Sequence, residues 1–250
     1  MKKIIQYILR RLRYRVVKET FYKHLINIST ESELNFYYLF KKNIKEGQDI
    51  CCLDIGANIG QTAKRMRAYF PNAAIYCFEP VKNTYKELIE NLAGYSNIRT
   101  YNFAMGANKG DLEISHREHS EWNSLVKQPN EDDSQRDCTT EFVKIDTVDD
   151  FVKEEGITKI DILKSDTEGF EMEVLKGAKN SLEKRLIKTV YIEVGFSKAD
   201  VQHCYWIEVA QELEKYGYHF SGLFEKSYGP DMLLTYANAL FCSSENGIIQ

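Results

Sequence analysis

Proline is scarce in this sequence, with four in 250 residues, and no Gly/Ser-rich run interrupts it. Nothing therefore reads as a flexible linker, and the length suits one large domain or one domain with an appendage. No internal repeat or low-complexity tract is present, which argues against solenoids and propellers. No apolar run approaches the roughly 20 residues that span a bilayer. The opening MKKIIQYILRRLRYRVV lacks the sustained apolar stretch and small-residue cleavage site of a signal peptide. The six cysteines (Cys51, Cys52, Cys77, Cys138, Cys204, Cys242) show no C-x-x-C spacing. Three of them fall in strand-like apolar runs, where a thiol behaves as a small hydrophobe. Reduced thiols in a cytoplasmic protein are the simplest expectation.

With 43% hydrophobic and 12% aromatic residues, the chain has ample material for a core. Its net charge of -4 conceals an asymmetry. Residues 2–23 carry eight Lys/Arg against one acid, Glu19, which leaves 25 basic and 36 acidic residues elsewhere. So acidic a body is a poor nucleic-acid binder. Ile4, Ile5, Ile8, Leu9, Leu12 and Val16 recur at helical spacing among the basic residues, giving a basic amphipathic helix. Two placements stand open for it: on an anionic inner membrane surface, or packed on the main domain with its charges in water. The expected division is a helical extension over 1–45 and a catalytic-sized domain over 46–250.

From residue 50 onward, short apolar runs alternate with helical stripes. DICCLDI, AAIYCFE, NIRTYNFAM, KIDILKSD and KTVYIEV read as strands. Helices are predicted from about Gln61 to Phe70, after Pro80, along Met172, Leu175, Ala178 and Leu182, and over residues 200–216. DLEIS and TTEFVKI read as an antiparallel pair flanking a polar segment, about 116–140, that would act as a lid. YHFSGLF and ANALFCS follow without a helix-length connector and predict an antiparallel edge. The whole is an α/β, doubly wound, mainly parallel sheet. Ligands bind such sheets at the carboxyl ends of the strands, where strand order reverses.

Candidate site residues are therefore those that follow strands. In LDIGANIG, Gly56 and Gly60 allow close approach of a ligand to the backbone. Asn58 occupies the middle glycine position of the dinucleotide pattern, and no G-K-[ST] ending makes it a P-loop. Glu79 stands 19 residues after Gly60, where a carboxylate can accept both hydrogen bonds of a ribose diol. Asp54 adds negative charge beside the loop, which suits a ligand with an ammonium and a sulfonium, S-adenosylmethionine. Asn102 and Ala104 would lie near its adenine.

DILKSDTEGFE (161–171) then runs from a buried strand into acids around Gly169. Asp166, at the strand's carboxyl end, is the best-placed candidate base, and Glu193, ending YIEV, is the second. Converging carboxylates could instead hold a divalent metal, in which case Asp166 and Glu193 would be its ligands. Glu168 and Glu171 suit the first turn of a helix, with Glu168 also a substrate candidate. In the polar segment, Trp122 could stack on a sugar face with Asn123 and Ser124 beside it. His219 could reach the cleft from a late strand, whereas His116 and His119 have no partner at ligand spacing.

FVKIDTVDDFV, IDILKSDTEGFEMEVLKGA and YIEVGF together resemble the FkbM family of S-adenosylmethionine-dependent methyltransferases. Its signature D-x-L-K-x-D-x-E-G-x-E-x-x-V-L-x-G-A is matched from Asp161 to Ala178, and DIGANIGQTA and CFEPVKNTYKELIENL look like earlier family motifs. The similarity covers roughly residues 50–195. Ser165 and Thr167 are polar where the family pattern is apolar, implying a wetter or differently packed strand end. The resemblance implies a class I, Rossmann-like methyltransferase fold. It also implies O-methylation of a hydroxyl on a glycan or related natural product, as in polysaccharide biosynthesis. The alternatives are methylation of a nitrogen or of a protein, and a membrane-surface binding module with a vestigial cofactor fold.

Overall fold

The computed structural model describes residues 32–45, 47–117 and 138–243. The basic segment 2–23 and the residues Cys138 aside from its backbone, His119, Trp122, Asn123 and Ser124 lie outside what is described. The ten strands are β1 (Cys51–Ile55), β2 (Ala74–Phe78), β3 (Ile98–Tyr101), β4 (Ala104–Met105), β5 (Gly110–Arg117), β6 (Cys138–Asp146), β7 (Ile160–Ser165), β8 (Ile187–Gly195), β9 (Tyr218–Tyr228) and β10 (Leu234–Ser243). The helices are α1 (Ser32–Lys42), α2 (Gln61–Tyr69), α3 (Lys82–Leu92), α4 (Val148–Glu154), α5 (Glu171–Gly177), α6 (Lys179–Glu183) and α7 (Trp206–Glu214).

Seven strands form one sheet in the order β3-β2-β1-β7-β8-β10-β9. The first five are parallel, and β10 runs antiparallel to both β8 and β9. The chain builds outward from β1 to β3 and then returns to lay β7 on the other side of β1. That reversal opens a crevice at the carboxyl ends of β1 and β7. A smaller sheet, β4-β6-β5, stands apart from the first.

The period of two along each strand divides the core. Leu53, Ile55, Phe78 and Leu163 pack on one face with Leu175 of α5 and Val209 of α7. Cys52, Ile75, Ile162 and Tyr191 pack on the other with Met66 of α2 and Leu88 of α3. Phe36, Tyr37 and Phe40 of α1 belong to that second layer. The Phe36 ring stacks on Tyr191 at 4.3 Å and 8°. The folded unit thus reaches back to Ser32, and the expected boundary at residue 46 cuts through its core. Among the described residues, no helix is long and apolar enough to cross a membrane.

Three elements differ from expectation, each for a local reason. The third strand breaks at Asn102, whose Nδ2 donates to the carbonyls of Glu79 and Pro80 at 2.9 Å each. The chain is thereby steered from the main sheet into β4. The helix expected over Met172 to Leu182 divides at Ala178, because Gly177 lies against the Gly106 carbonyl, where a Cβ would sit 2.0 Å away. The helix expected over 200–216 begins only at Trp206. Asp200 Oδ1 accepts the amides of Gln202 (2.9 Å) and His203 (3.3 Å), and the Cys204 carbonyl accepts the Gly195 amide. These bonds hold residues 200–204 as a turn across the end of β8.

Candidate active site

The loop after β1 is held by backbone bonds. The amides of Gly56 and Ala57 both donate to the Phe78 carbonyl at 3.0 Å, and Gly60 donates to Ala57 at 2.9 Å. Gly56 has φ 77, and a Cβ there would fall 1.8 Å from the Asp166 carbonyl oxygen. Asp166 in turn donates its amide to the Ile55 carbonyl at 3.0 Å. The glycine loop and the end of β7 are thus in direct backbone contact, which only a residue without a Cβ permits. Asn58 takes φ 48, a left-handed conformation that asparagine tolerates, and its amide donates to Glu79 Oε2 at 3.1 Å.

Glu79 ends β2 and is 7% exposed. Its other oxygen accepts the Val81 amide at 2.9 Å. Burial pushes its carboxyl up to about 7, although the Val81 and Asn58 amides oppose the shift. Asp54 is fully buried, and neither carboxylate oxygen has a hydrogen-bond partner. Burial raises it to about 6 against the pull of Lys164. An acid left unpaired in the interior beside a glycine loop fits a cationic ligand. Asn102 is tied to the carbonyls after β2, and Ala104 is buried at the start of β4. Asp54, Gly56, Asn58, Gly60, Glu79 and Asn102 therefore gather around the carboxyl ends of β1, β2 and β3.

A second group lies across the crevice. Asp166 follows β7, and its carboxylate meets the Lys164 ammonium at 2.8 Å. Lys164 is 2% exposed and stands opposite Asp54 in the β1–β7 register. Burial works against its charge, but Asp166 and Asp54 more than compensate and hold it protonated. Burial likewise works against the Asp166 anion, and the adjacent ammonium outweighs it, so its carboxyl is lowered. Glu193, near the end of β8, is pushed well up by burial and then by Asp166, with which it shares a hydrogen bond. The two carboxyls oppose each other's ionisation, which Lys164 resolves in favour of the Asp166 anion.

His203 completes the group from the turn before α7. Its Nδ1 lies 2.8 Å from Asp200 Oδ2, and its Nε2 lies 3.4 Å from Glu193 Oε2. The ring stacks on Tyr236 at 4.6 Å and 12°. Glu168 adopts φ 53 and is raised to about 7 by burial, Asp166 and Glu171. Donor atoms of Glu168, Glu193 and His203 lie within 4.8 Å of one another, a spacing that could hold a divalent cation. Of the expected metal pair, Glu193 falls in this group, whereas the Asp166 carboxylate faces Lys164.

Glu171 has a structural role: Oε1 accepts the Thr167 amide (2.7 Å), the Thr167 hydroxyl (2.9 Å) and the Gly169 amide (3.3 Å). Ser165 and Thr167 are both buried, so this strand end is differently packed rather than wetter. His219 is placed far from the cleft. It pairs with Cys242, which pairs with Thr189 at the amino-terminal half of β8, about 13 Å along the strand from Glu193. Lys164 and His203 were not singled out from sequence. The lysine stands in the family signature, whereas the histidine lay within the first part of an expected helix, where the chain forms a turn instead.

The family profile described as the methyltransferase FkbM domain matches residues 54–220. The chain belongs to the FkbM methyltransferase family. Its cofactor is S-adenosylmethionine, which the orphaned Asp54 and the Glu79-braced loop fit. Similar proteins include 2-O-methyltransferase NoeI of Sinorhizobium fredii, 28% identical over 164 residues, covering 60% of this chain and 66% of that protein. Hexuronic acid methyltransferase AglP of Haloferax volcanii is 27% identical over 158 residues, covering 62% of this chain and 60% of the relative. The matches thus span a little under two thirds of each relative's length. Among solved structures, the METTL16 methyltransferase domain shares the fold with a TM-score of 0.50 at 13% identity, covering 84% of this chain and 66% of that one.

Proposed function

We propose that this chain transfers the methyl group of S-adenosylmethionine to a hydroxyl oxygen of a sugar or a related hydroxylated natural product. The observation that carries this reading is the group of Asp166, Glu193 and His203, which the backbone of Asp166 joins to the cofactor loop. A nitrogen acceptor with a free lone pair needs no base, whereas a hydroxyl must lose its proton as the new bond forms. The name of one similar protein, a 2-O-methyltransferase, supports an oxygen acceptor, and that of another, a hexuronic acid methyltransferase, supports a sugar derivative.

When bound, S-adenosylmethionine supplies an electrophilic methyl group; transfer joins it to oxygen, leaves the bonding pair on sulfur and releases one proton. The chain's own residues supply the rest. Asp54 and the loop from Gly56 to Gly60 would hold the cationic end, and Glu79 the ribose diol. Asp166, kept ionised by Lys164, would orient the acceptor hydroxyl through a charge-assisted hydrogen bond. Glu193 is the stronger base of the pair once ionised, and would take the proton. Positive charge entering beside it favours that ionised form. Alignment of the two reactants supplies the larger share of acceleration, and the placed base a further 10²–10⁴-fold, roughly.

The test is incubation with methyl-labelled S-adenosylmethionine and a panel of hydroxyl-bearing sugars, followed by mass spectrometry. Label on a sugar, reduced at least tenfold in Glu193→Gln, supports the reading. Undiminished turnover by both Asp166→Asn and Glu193→Gln would point to an acceptor that needs no base.

A further inference from the structure

We propose that the carboxyl end of the sheet docks on an anionic lipid bilayer through the tip of the β9–β10 hairpin and the basic segment 2–23. The docking follows from surface chemistry alone. That it turns the cleft toward acceptors carried on lipid rests on the hydroxyl-methylating reading above.

The hairpin runs past the end of β8, because Tyr236 pairs with Gly195, the last residue of that strand. Beyond that point the Gly229 amide donates to the Leu233 carbonyl at 2.9 Å, and the Met232 amide to the Gly229 carbonyl at 3.0 Å. Asp231 Oδ1 accepts the Leu233 amide at 3.1 Å. This closed turn holds Met232 at φ 63, which suits glycine or asparagine and strains a methionine. The strained turn leaves its large apolar side chains in water. Met232 is 77% exposed, more than any other large hydrophobic among the described residues, and Leu233 is 66% exposed. Tyr228, where β9 enters the turn, is 53% exposed. The Phe196 amide donates to the Thr235 carbonyl at 2.9 Å and ties the hairpin to the segment leading to Val201, also exposed. Consecutive apolar side chains displayed at one tip mark a contact surface.

The tip borders the candidate site, since Tyr236, four residues after Met232, stacks on His203. The chain that follows the basic segment enters the fold at the same end. Phe36 of α1 stacks on Tyr191, whereas Phe40, one turn later, lies 5.6 Å from the Lys188 ammonium. Tyr191 is nearer than Lys188 to the carboxyl end of β8. Helix α1 therefore runs antiparallel to β8, and its first residue, Ser32, lies toward the end that carries the cleft. The nine residues from His24 to Ser32 span about 30 Å when fully extended. Residues 2–23 are thus tethered within reach of the rim.

Charge decides the occupant. Residues 2–23 carry eight Lys/Arg against Glu19, with apolar residues at helical spacing among them. An anionic bilayer offers headgroups to those cations and an apolar interior to Met232 and Leu233. Each part supplies what the other lacks. The tip gives apolar area, and the basic segment offsets the repulsion between an acidic body and an anionic surface. Lys198 and Lys226, both exposed near the hairpin, add to the attraction. A second copy of this chain fits less well. A two-fold contact through the tip sets the same end against itself, and so brings basic segment against basic segment.

The test is sedimentation of the full chain with sucrose-loaded vesicles, made of equal parts phosphatidylglycerol and phosphatidylcholine or of phosphatidylcholine alone. The chain should bind the mixed vesicles about tenfold more tightly or better, with the difference shrinking in high salt. Met232→Asn combined with Leu233→Ser should lower that affinity about tenfold or more. The melting temperature should not fall, because asparagine suits the left-handed turn position. Arg10→Glu, Arg11→Glu and Arg13→Glu together should weaken binding comparably. In the wild type itself, hydrogen exchange over residues 228–235 should slow on mixed vesicles. The proposal is overturned by equal binding to both vesicle types, by no binding to either, or by binding that either variant retains undiminished. Unchanged exchange over 228–235 overturns it as well, whatever the variants do. So does a dimer in analytical ultracentrifugation that the hairpin variant dissolves, which would make the tip a contact between copies. Failure of the wild type to methylate any hydroxyl would instead sink the functional reading, and the vesicle result would still decide the docking.

Discussion

Lowering the pH from about 7.5 to about 5.5 should stabilise the ligand-free protein, contrary to the usual trend for acids held in ion pairs. Burial raises Glu79 from 4.5 to about 7 and Asp54 from 3.8 to about 6. A carboxyl raised in the folded state binds more protons folded than unfolded, so its contribution is fully present below the unfolded value. That contribution is lost as the pH rises through the folded value. Over this interval, linkage gives about 2 kcal/mol from Glu79 and about 1 kcal/mol from Asp54, some 3 kcal/mol together, roughly. Glu168, raised to about 7, adds in the same direction. The lowered carboxyl of Asp166 acts oppositely, but only as the pH falls through its own depressed value. The assay is urea denaturation of the ligand-free protein at the two pH values, repeated with Asp54→Asn. The variant should lose about 1 kcal/mol of the difference. A flat or rising stability toward pH 7.5, or an unaltered difference in Asp54→Asn, would refute the view that burial outweighs the stabilising partners of these acids.

Other outcomes follow from single contacts. Gly56→Ala should lower stability by several kcal/mol, since its Cβ would strike the Asp166 carbonyl oxygen at 1.8 Å from a φ of 77. Gly94→Ala, with open space around it, should change the melting temperature little. Glu79→Ala leaves the Asn58 and Val81 amides without their acceptor and should weaken S-adenosylhomocysteine binding by about 100-fold or more in calorimetry. Unchanged affinity would remove the ribose assignment. Phe36→Ala should cost about 3–5 kcal/mol in denaturant unfolding, because its ring is buried against Tyr191. A negligible effect would mean that α1 is an appendage rather than part of the core.

The succession of strands along the chain, and the glycines and acids that follow them, were legible because their signals are local. Apolar runs of strand length, a glycine loop after the first and an acid after the second are each read from a few neighbouring positions. The duty of Glu171 was legible for the same reason, since its partners Thr167 and Gly169 are two to four residues away. His203 was not legible. Its partners are Asp200 on the same turn, Glu193 ten residues earlier and Tyr236 on a different strand. Residues 200–216 carry a helical pattern, and the Asp200 turn that breaks it depends on the pairing of Gly195 with Cys204. The burial of α1 was hidden likewise, because Tyr191 and Met66 become its neighbours only once the sheet exists. His219 erred in the other direction. A histidine after a glycine turn says nothing about which end of the sheet receives it, and antiparallel pairing with β10 carries it to the wrong end.

The most direct test of the account is to locate the transferred methyl group. Wild-type protein would be incubated with ¹³C-methyl S-adenosylmethionine and a hydroxyl-bearing glycan, and the product read by ¹³C NMR. The account predicts the label as an ether carbon on a sugar oxygen, with the signal strongly reduced in Glu193→Gln. Label bound to nitrogen, or an ether signal undiminished in Glu193→Gln, would contradict it.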